Sequence, residues 1–312
     1  MAFTHKHLLG IQSLSASDIT TVLDTAESFY EISTREVKKV PTLRGKTIIN
    51  LFFEPSTRTR SSFELAAKRL SADIVNFNLN ASSAAKGETF KDTILNLEAM
   101  NPDAIIIRHS CSGASHYAST FSQSNIINAG DGSHEHPTQA LLDAFTMRQE
   151  KKDFQNLKVV IVGDILHSRV ARSNIFLLRK MGARITLVGP PSLLPEEFKK
   201  FGVEIDFNLD HAVKGADVIM MLRIQMERQT KNFFPSIREY RNLYSLSAQR
   251  FGRAKKNAII MHPGPINRGV ELTADIADCA KSVILKQVEN GIAVRMAVLY
   301  LLLGGKDREA ID

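Results

Sequence analysis

Within Phe53-Glu54-Pro55-Ser56-Thr57-Arg58-Thr59-Arg60, the cluster Ser56-Thr57-Arg58-Thr59 places three hydroxyls and a guanidinium between an apolar run and a helical pattern. Residues 47–53 read as a buried strand and residues 61–70 as a helix. Backbone N–H groups at a helix start converge and favour negative charge. Arginine adds a planar, two-pronged grip that suits phosphate. The chemistry implied is a phosphate cradle. Ser and Thr are also ordinary helix caps, so the same letters allow a bland reading as a capped helix with exposed arginines.

Further polar clusters recur down the chain: Arg108-His109, Asp131 to Gln139, Asp164 to Arg169, Arg223 with Gln225, and His262 to Pro265. Other chemistries fit these residues less well. Gly163-Asp164 after a strand invites a dinucleotide reading, but no GxGxxG follows and the next strand ends in Gly189-Pro190-Pro191 rather than an acid for ribose. His134 and His136 stand two apart with a proline after them, and the sequence places no third metal ligand. His136 reads as structural or substrate-binding, and no metal is expected. No nucleophile elbow surrounds any serine.

The elements that must position these clusters alternate. In the first half, strands are expected at 46–53, 73–78, 104–108 and 125–128, with helices at 61–70, 88–100 and 115–121. A helix from Pro137 to about Glu150 follows, then a polar connection at Lys151-Lys152-Asp153. The rhythm restarts with strands at 159–162, 185–188, 203–207, 218–222 and 258–261 and a helix at 168–181 that Gly182 is placed to end. Residues 225–244 show little periodicity and read as a long loop; 276–303 read as one long final helix packing back across both domains. This predicts an α/β protein of two doubly wound domains, each with a central parallel sheet, and a hinge near 137–152. Every polar cluster then falls just beyond a strand's carboxyl end, where doubly wound sheets bind ligands. Six clusters so aligned imply one cleft between two domains.

Composition narrows the class. The 312 residues suffice for two domains of ordinary size. Cys111 and Cys279 are far apart, which argues against a disulfide framework or a cysteine zinc site. The start lacks an apolar signal core, and the longest apolar run, 293–303, contains Arg295 and falls short of the roughly 18 residues of a membrane span. A cytoplasmic protein without membrane contact is expected. The net charge of +7 is scattered, with no basic stripe interleaved with aromatics and no Trp, so a site gathering small anions is preferred to nucleic acid.

Together these motifs resemble the aspartate/ornithine carbamoyltransferase family over nearly the whole chain. The resemblance rests on residues 53–64, Lys86-Gly87-Glu88-Thr89, Arg108-His109, residues 136–143, Val162-Gly163-Asp164, residues 223–228 and His262-Pro263-Gly264-Pro265. Arg223-x-Gln225-x-Glu227-Arg228 and His-Pro-Gly-Pro mark the aspartate branch. Relatives acting on ornithine carry a cysteine-containing motif at the latter position, and no cysteine stands there in this chain.

The resemblance implies transfer of the carbamoyl group of carbamoyl phosphate to L-aspartate, an early step of pyrimidine biosynthesis, without metal or organic cofactor. Residues 1–137 would be the carbamoyl phosphate-binding domain, with a C-terminal helix at about 288–312 returning to it, and 138–287 the aspartate-binding domain. Ser56, Thr57, Arg58 and Thr59 would hold the phosphate, with Arg108 helping. Thr59, Arg108 and His136 would polarise the carbonyl oxygen; Gln139 and the backbone of Gly264 and Pro265 would hold the amide nitrogen. Some relatives carry a bulky residue where this chain has Gly264, but the contact there is through backbone. Lys86, Arg169, Arg223 and Gln225 would bind aspartate. Ser82 and Lys86 would arrive from a neighbouring subunit, making the active unit a homotrimer with shared sites. Glu54 would pair with Arg169 and Arg228 on domain closure. Further assembly with regulatory chains or a dihydroorotase stays open.

Charge supports the aspartate branch independently. The two substrates bring about four negative charges, which five cations, Arg58, Lys86, Arg108, Arg169 and Arg223, would balance. The cationic ornithine side chain would be repelled. The sequence offers no clear protein base; His136 reads as a carbonyl ligand, leaving the departing phosphate to take the amine proton. The alternatives are a carbamoyltransferase for ornithine or an acylated ornithine, and a non-catalytic homologue that binds phosphate compounds.

Overall fold

The computed structural model describes residues 3–78, 88–224 and 236–304. Two compact units divide the chain: Met1–Phe145 with Val288–Asp312, and Thr146–Gln287.

The first unit carries a four-stranded parallel sheet in the order β2-β1-β3-β4. Its strands are β1 (Thr47–Phe52), β2 (Asp73–Asn78), β3 (Ala104–His109) and β4 (Asn125–Asp131). Ile49, Leu51, Ile105, Ile107 and Ile126 pack against Ile94, Leu97 and Ala118 from the covering helices. Near-continuous β-branched burial is what a parallel sheet covered on both faces requires. The helices are α1 (Ala16–Thr34), α2 (Thr57–Arg69), α3 (Phe90–Glu98) and α4 (Ala114–Ser119).

The second unit repeats the plan with five parallel strands in the order β7-β6-β5-β8-β9. These are β5 (Lys158–Val162), β6 (Arg184–Val188), β7 (Glu204–Asp206), β8 (Val218–Met221) and β9 (Ile259–Met261). Helices α6 (Arg169–Lys180), α7 (Leu209–Ala212), α8 (Ile237–Tyr244), α9 (Ala248–Phe251) and α10 (Ala274–Ala277) accompany them. Val160, Val162, Ile219, Met221 and Ile260 form the core with Leu209, Tyr240 and Leu272. Gly182, at φ +85°, ends α6 as its sequence position predicts: the Ala183 N–H reaches the Leu178 carbonyl at 2.9 Å. Two longer helices contain the unit boundaries, α5 (Pro137–Lys151) and α11 (Ile284–Leu303).

Two parallel-sheet units with flanking helices match the expected fold class, and four sequence expectations need correction. Helix α1 went unread, although Ser15 and Asp18 form a reciprocal capping box ahead of Ile19, Val22, Leu23 and Ala26 at helical spacing. Helix α2 begins at Thr57, four residues before the expected 61, because Thr57-Arg58-Thr59-Arg60 is itself the first turn. The final helix does not run from 276. Ala274–Ala277 is a separate short helix, and α11 starts at Ile284. Within the expected loop 225–244, Ile237–Tyr244 is helical; Ser236 caps it by accepting the Glu239 N–H. Among the described residues no helix is long and apolar enough to cross a membrane.

Candidate active site

The strand orders explain why the polar clusters gather. In the first unit the chain runs from β1 outward to β2, then returns to place β3 on the other side of β1. The reversal between β1 and β3 opens a crevice at their carboxyl ends. Phe52 is in register with Arg108, and His109 with Asp131. The loop after β1, the end of β3 and the turn after β4 therefore stand side by side. In the second unit the reversal lies between β5 and β8, where Val162 is in register with Met221, and Met220 with Met261 on β9. Arg169, Arg223 and His262 follow these three neighbouring strand ends.

Ser56 is the N-cap residue of α2, yet its side chain makes no capping hydrogen bond. The first intrahelical donor is the Arg60 N–H, which reaches the Ser56 carbonyl at 3.2 Å. Helix geometry thus leaves the N–H groups of Thr57, Arg58 and Thr59 without intrahelical acceptors. Thr57 and Arg58 are exposed and Thr59 is buried. A hydroxyl spared from capping, three convergent N–H groups and an exposed guanidinium suit a tetrahedral oxyanion.

Beside this helix start, Arg108 is held from two directions. Its Nε lies 3.4 Å from Glu54 Oε2, and its Nη1 donates to the Ala129 carbonyl at 3.3 Å. Glu54 therefore pairs with Arg108 inside its own unit. His109 is boxed by the rings of Phe53 and Phe90, at 4.6 and 5.1 Å between centroids. Its Nδ1 accepts the Cys111 N–H.

His136 occupies the residue before Pro137, and its carbonyl starts α5 by accepting the N–H groups of Gln139 and Ala140. The turn that delivers it is fastened by Asp131, whose carboxylate accepts from Asn128 Nδ2, the Glu135 N–H and the Gly113 N–H. Burial pushes the Asp131 carboxyl up, but bonds from His134, Asn128 and Gly113 outweigh it and hold it below the ordinary range. Glu135 fixes the N-terminal segment by accepting from the N–H groups of Ile11 and Gln12.

Gln139 donates its Nε2 to Asp143 Oδ1 at 2.9 Å. A carboxylate can only accept, so this bond sets the amide's orientation and turns Oε1 into the end that can receive an N–H. Arg295 of α11 is fully buried nearby; its Nη1 donates to Ser62 Oγ and the Gly291 carbonyl, and its guanidinium lies over the Phe63 ring. Burial pulls the Arg295 guanidinium down to about 10, with the Asp143 charge opposing.

In the second unit, Arg169 is the first residue of α6 and is buried; Ser168 caps that helix by accepting the Ala171 N–H at 3.1 Å. Asp164 binds the His167 ring at 3.0 Å. Glu271, which the sequence did not single out, ties two of the strand-end loops together. It accepts the Ile224 N–H at 2.9 Å, just after Arg223, and the Asn267 N–H at 2.8 Å, just after the His262–Pro265 stretch. Burial raises its carboxyl above the ordinary range, and those same bonds oppose the rise. His262 Nδ1 accepts the Gly264 N–H at 2.8 Å, and the peptide between Gly264 and Pro265 is cis.

Within the first unit the structure brings together Glu54, Ser56, Thr57, Arg58, Thr59 and Arg108, with His136 and Gln139 following the neighbouring strand. Arg169, Arg223, Gly264 and Pro265 follow adjacent strands of the second. Ser82, Lys86, Gln225 and Arg228 lie outside the described residues. Sequence reasoning missed Asp143, Arg295 and Glu271. Only Asp143 left a signal, one helical turn beyond Gln139.

Two doubly wound units with anion-type sites at their switch points define a class of α/β enzyme, and comparison with known proteins gives the family. Residues 6–149 match "Aspartate/ornithine carbamoyltransferase, carbamoyl-P binding domain" and residues 155–302 match "Aspartate/ornithine carbamoyltransferase, Asp/Orn binding domain". This chain belongs to the aspartate/ornithine carbamoyltransferase family. It is 59% identical over 309 residues to the aspartate carbamoyltransferase catalytic subunit of Syntrophotalea carbinolica, covering 99% of each chain. Its structure is similar to aspartate transcarbamoylase of Trypanosoma cruzi solved with carbamoyl phosphate and aspartate, with a TM-score of 0.86 and 31% identity over 95% of this chain and 96% of that one. It is equally similar in fold to ornithine carbamoyltransferase of Pyrococcus furiosus, at TM-score 0.86 and 31% identity over 98% of this chain and 99% of that one.

Proposed function

We propose that this chain transfers the carbamoyl group of carbamoyl phosphate to the amino group of L-aspartate, giving N-carbamoyl-L-aspartate and phosphate. The observation that carries the reading is the α2 start, with Ser56 spared from capping, set beside Arg108 at the first switch point. The full-length 59% identity to an aspartate carbamoyltransferase catalytic subunit supports the acceptor. Fold alone does not choose between aspartate and ornithine, since neighbours named for each superpose equally well. Charge does: Arg169 and Arg223 at neighbouring strand ends suit two carboxylates and oppose a cationic side chain.

Residues 1–137 with the helix at 288–312 serve as the carbamoyl phosphate-binding domain, and 138–287 as the aspartate-binding domain. Ser56, Thr57, Arg58 and Thr59 hold the phosphate. Thr59, Arg108 and His136 donate to the carbonyl oxygen, where charge builds as the amine attacks. Gln139 Oε1 and the backbone at Gly264 and Pro265 accept from the carbamoyl nitrogen. Arg169, Arg223 and Gln225 hold the aspartate carboxylates. As the C–O bond to phosphate breaks, Arg58 stabilises the leaving dianion, which takes the amine proton. Fixed donors aimed at developing charge are usually the largest catalytic contribution. Ser82 and Lys86 enter from a neighbouring subunit of a homotrimer. The reaction is an early step of pyrimidine synthesis in the cytoplasm.

Paired variants test the two half-sites. Arg58→Ala should lower kcat by ~10² to 10³, the usual cost of one such donor. Arg223→Gln should raise the KM for aspartate and leave the Kd for carbamoyl phosphate unchanged. An Arg223→Gln variant that loses carbamoyl phosphate binding instead would overturn the division of labour.

A further inference from the structure

Two connections of the first unit converge beyond the strand ends. Asp131 closes β4, His134 lies in the turn that follows, and His116 projects from α4. One ring nitrogen from each histidine and one Asp131 oxygen all lie within 4.8 Å of one another. His134 Nδ1 stands 3.1 Å from Asp131 Oδ2. The two imidazoles are 5.4 Å apart between centroids and inclined at 68°.

These distances suit a shared ion. Two ligands on one tetrahedral ion, each bonded at about 2.0–2.2 Å, stand roughly 3.3–3.5 Å apart. Asp131 and His134 are already near that spacing. His116 is exposed, so its ring can close the remaining ~1 Å by a small change of χ angles. Asp131 is immobilised by Asn128, Gly113 and the Glu135 N–H, the kind of outer support that orients a metal-binding carboxylate. Gly132 permits the convergence: at φ +47°, a Cβ there would fall 2.5 Å from Ser112 Oγ.

We propose that His116, His134 and Asp131 form a binding site for a divalent transition-metal cation of the zinc type. Two imidazoles with a carboxylate favour Zn²⁺, Co²⁺ or Ni²⁺ over Mg²⁺ and Ca²⁺, which demand oxygen ligands. Binding through His134 Nδ1 takes the neutral ring with its proton on Nε2, so the proton shared with Asp131 moves to Nε2 by way of solvent, and that one hydrogen bond is exchanged for two metal–ligand bonds. His116 is the ligand that spacing hides: it precedes His134 by 18 positions, and only the adjacency of β3 and β4 brings the two together.

The test uses the full chain, freed of metal by chelation and titrated with Co²⁺ or Zn²⁺ alone. Cobalt absorption reads the geometry and calorimetry reads the affinity. The expected result is one ion per chain with a tetrahedral cobalt spectrum, and affinity at least ~10-fold lower in His116→Ala and in His134→Ala. Both are solvent-accessible positions, and unchanged thermal melting without metal would certify the fold of each variant. Absence of binding to the parent chain, or equal binding by the double variant, would overturn the site.

Discussion

His109 shows how one half-buried side chain imposes a pH dependence on the first unit. Burial pushes its imidazole below the ordinary 6.5, while the charges of Glu54 and Asp131 work the other way. The folded protein therefore takes up this proton less readily than the unfolded chain does. Its contribution is intact above 6.5 and is lost as the pH falls below that value. The urea midpoint should decline as the pH is lowered through this window, and His109→Gln should flatten the decline; equal slopes in parent and variant would contradict the assignment. The residues proposed to contact substrate were the ones that sequence chemistry could single out. Arginines and hydroxyls at strand ends announce themselves, whereas Asp143, Arg295 and Glu271 act through partners that only the fold brings near. Glu271 bonds to Ile224, 47 positions away, and no periodicity records such a link.

At the scale of elements, the strands were legible because parallel sheets buried on both faces need continuous runs such as Val159 to Val162. Helix ends set by a single cap were harder. Helix α1 escaped although its capping box was visible. Residues 57–60 were read as preceding α2 when they form its first turn. The apparent helix from 276 breaks because Ala274–Ala277 is a single turn that does not propagate to Ile284. Ser15→Ala should cost about 1 kcal/mol of stability by releasing the Asp18 N–H. Urea unfolding should show a lower midpoint at constant m-value; an unchanged midpoint would mean that packing of Ile19, Val22 and Leu23 alone holds the helix start.

At the scale of the whole molecule, each unit carries its own switch point, and each switch point carries groups suited to one anion. On the proposed division, a single plan used twice would serve two different substrates. Subunit sharing is tested by mixing. On the proposed homotrimer, Lys86→Ala and Arg58→Ala assemblies should each be nearly inactive alone, and hybrids formed by dissociation and remixing should regain activity, since some sites would then be built from two intact contributions. No recovery would assign Lys86 to its own subunit's site. The central claim is the acceptor. The decisive measurement is product formation by the purified chain given carbamoyl phosphate with L-aspartate and, in parallel, with L-ornithine. Carbamoyl aspartate should form and carbamoyl ornithine should not; turnover of ornithine alone would contradict the reading of Arg169 and Arg223.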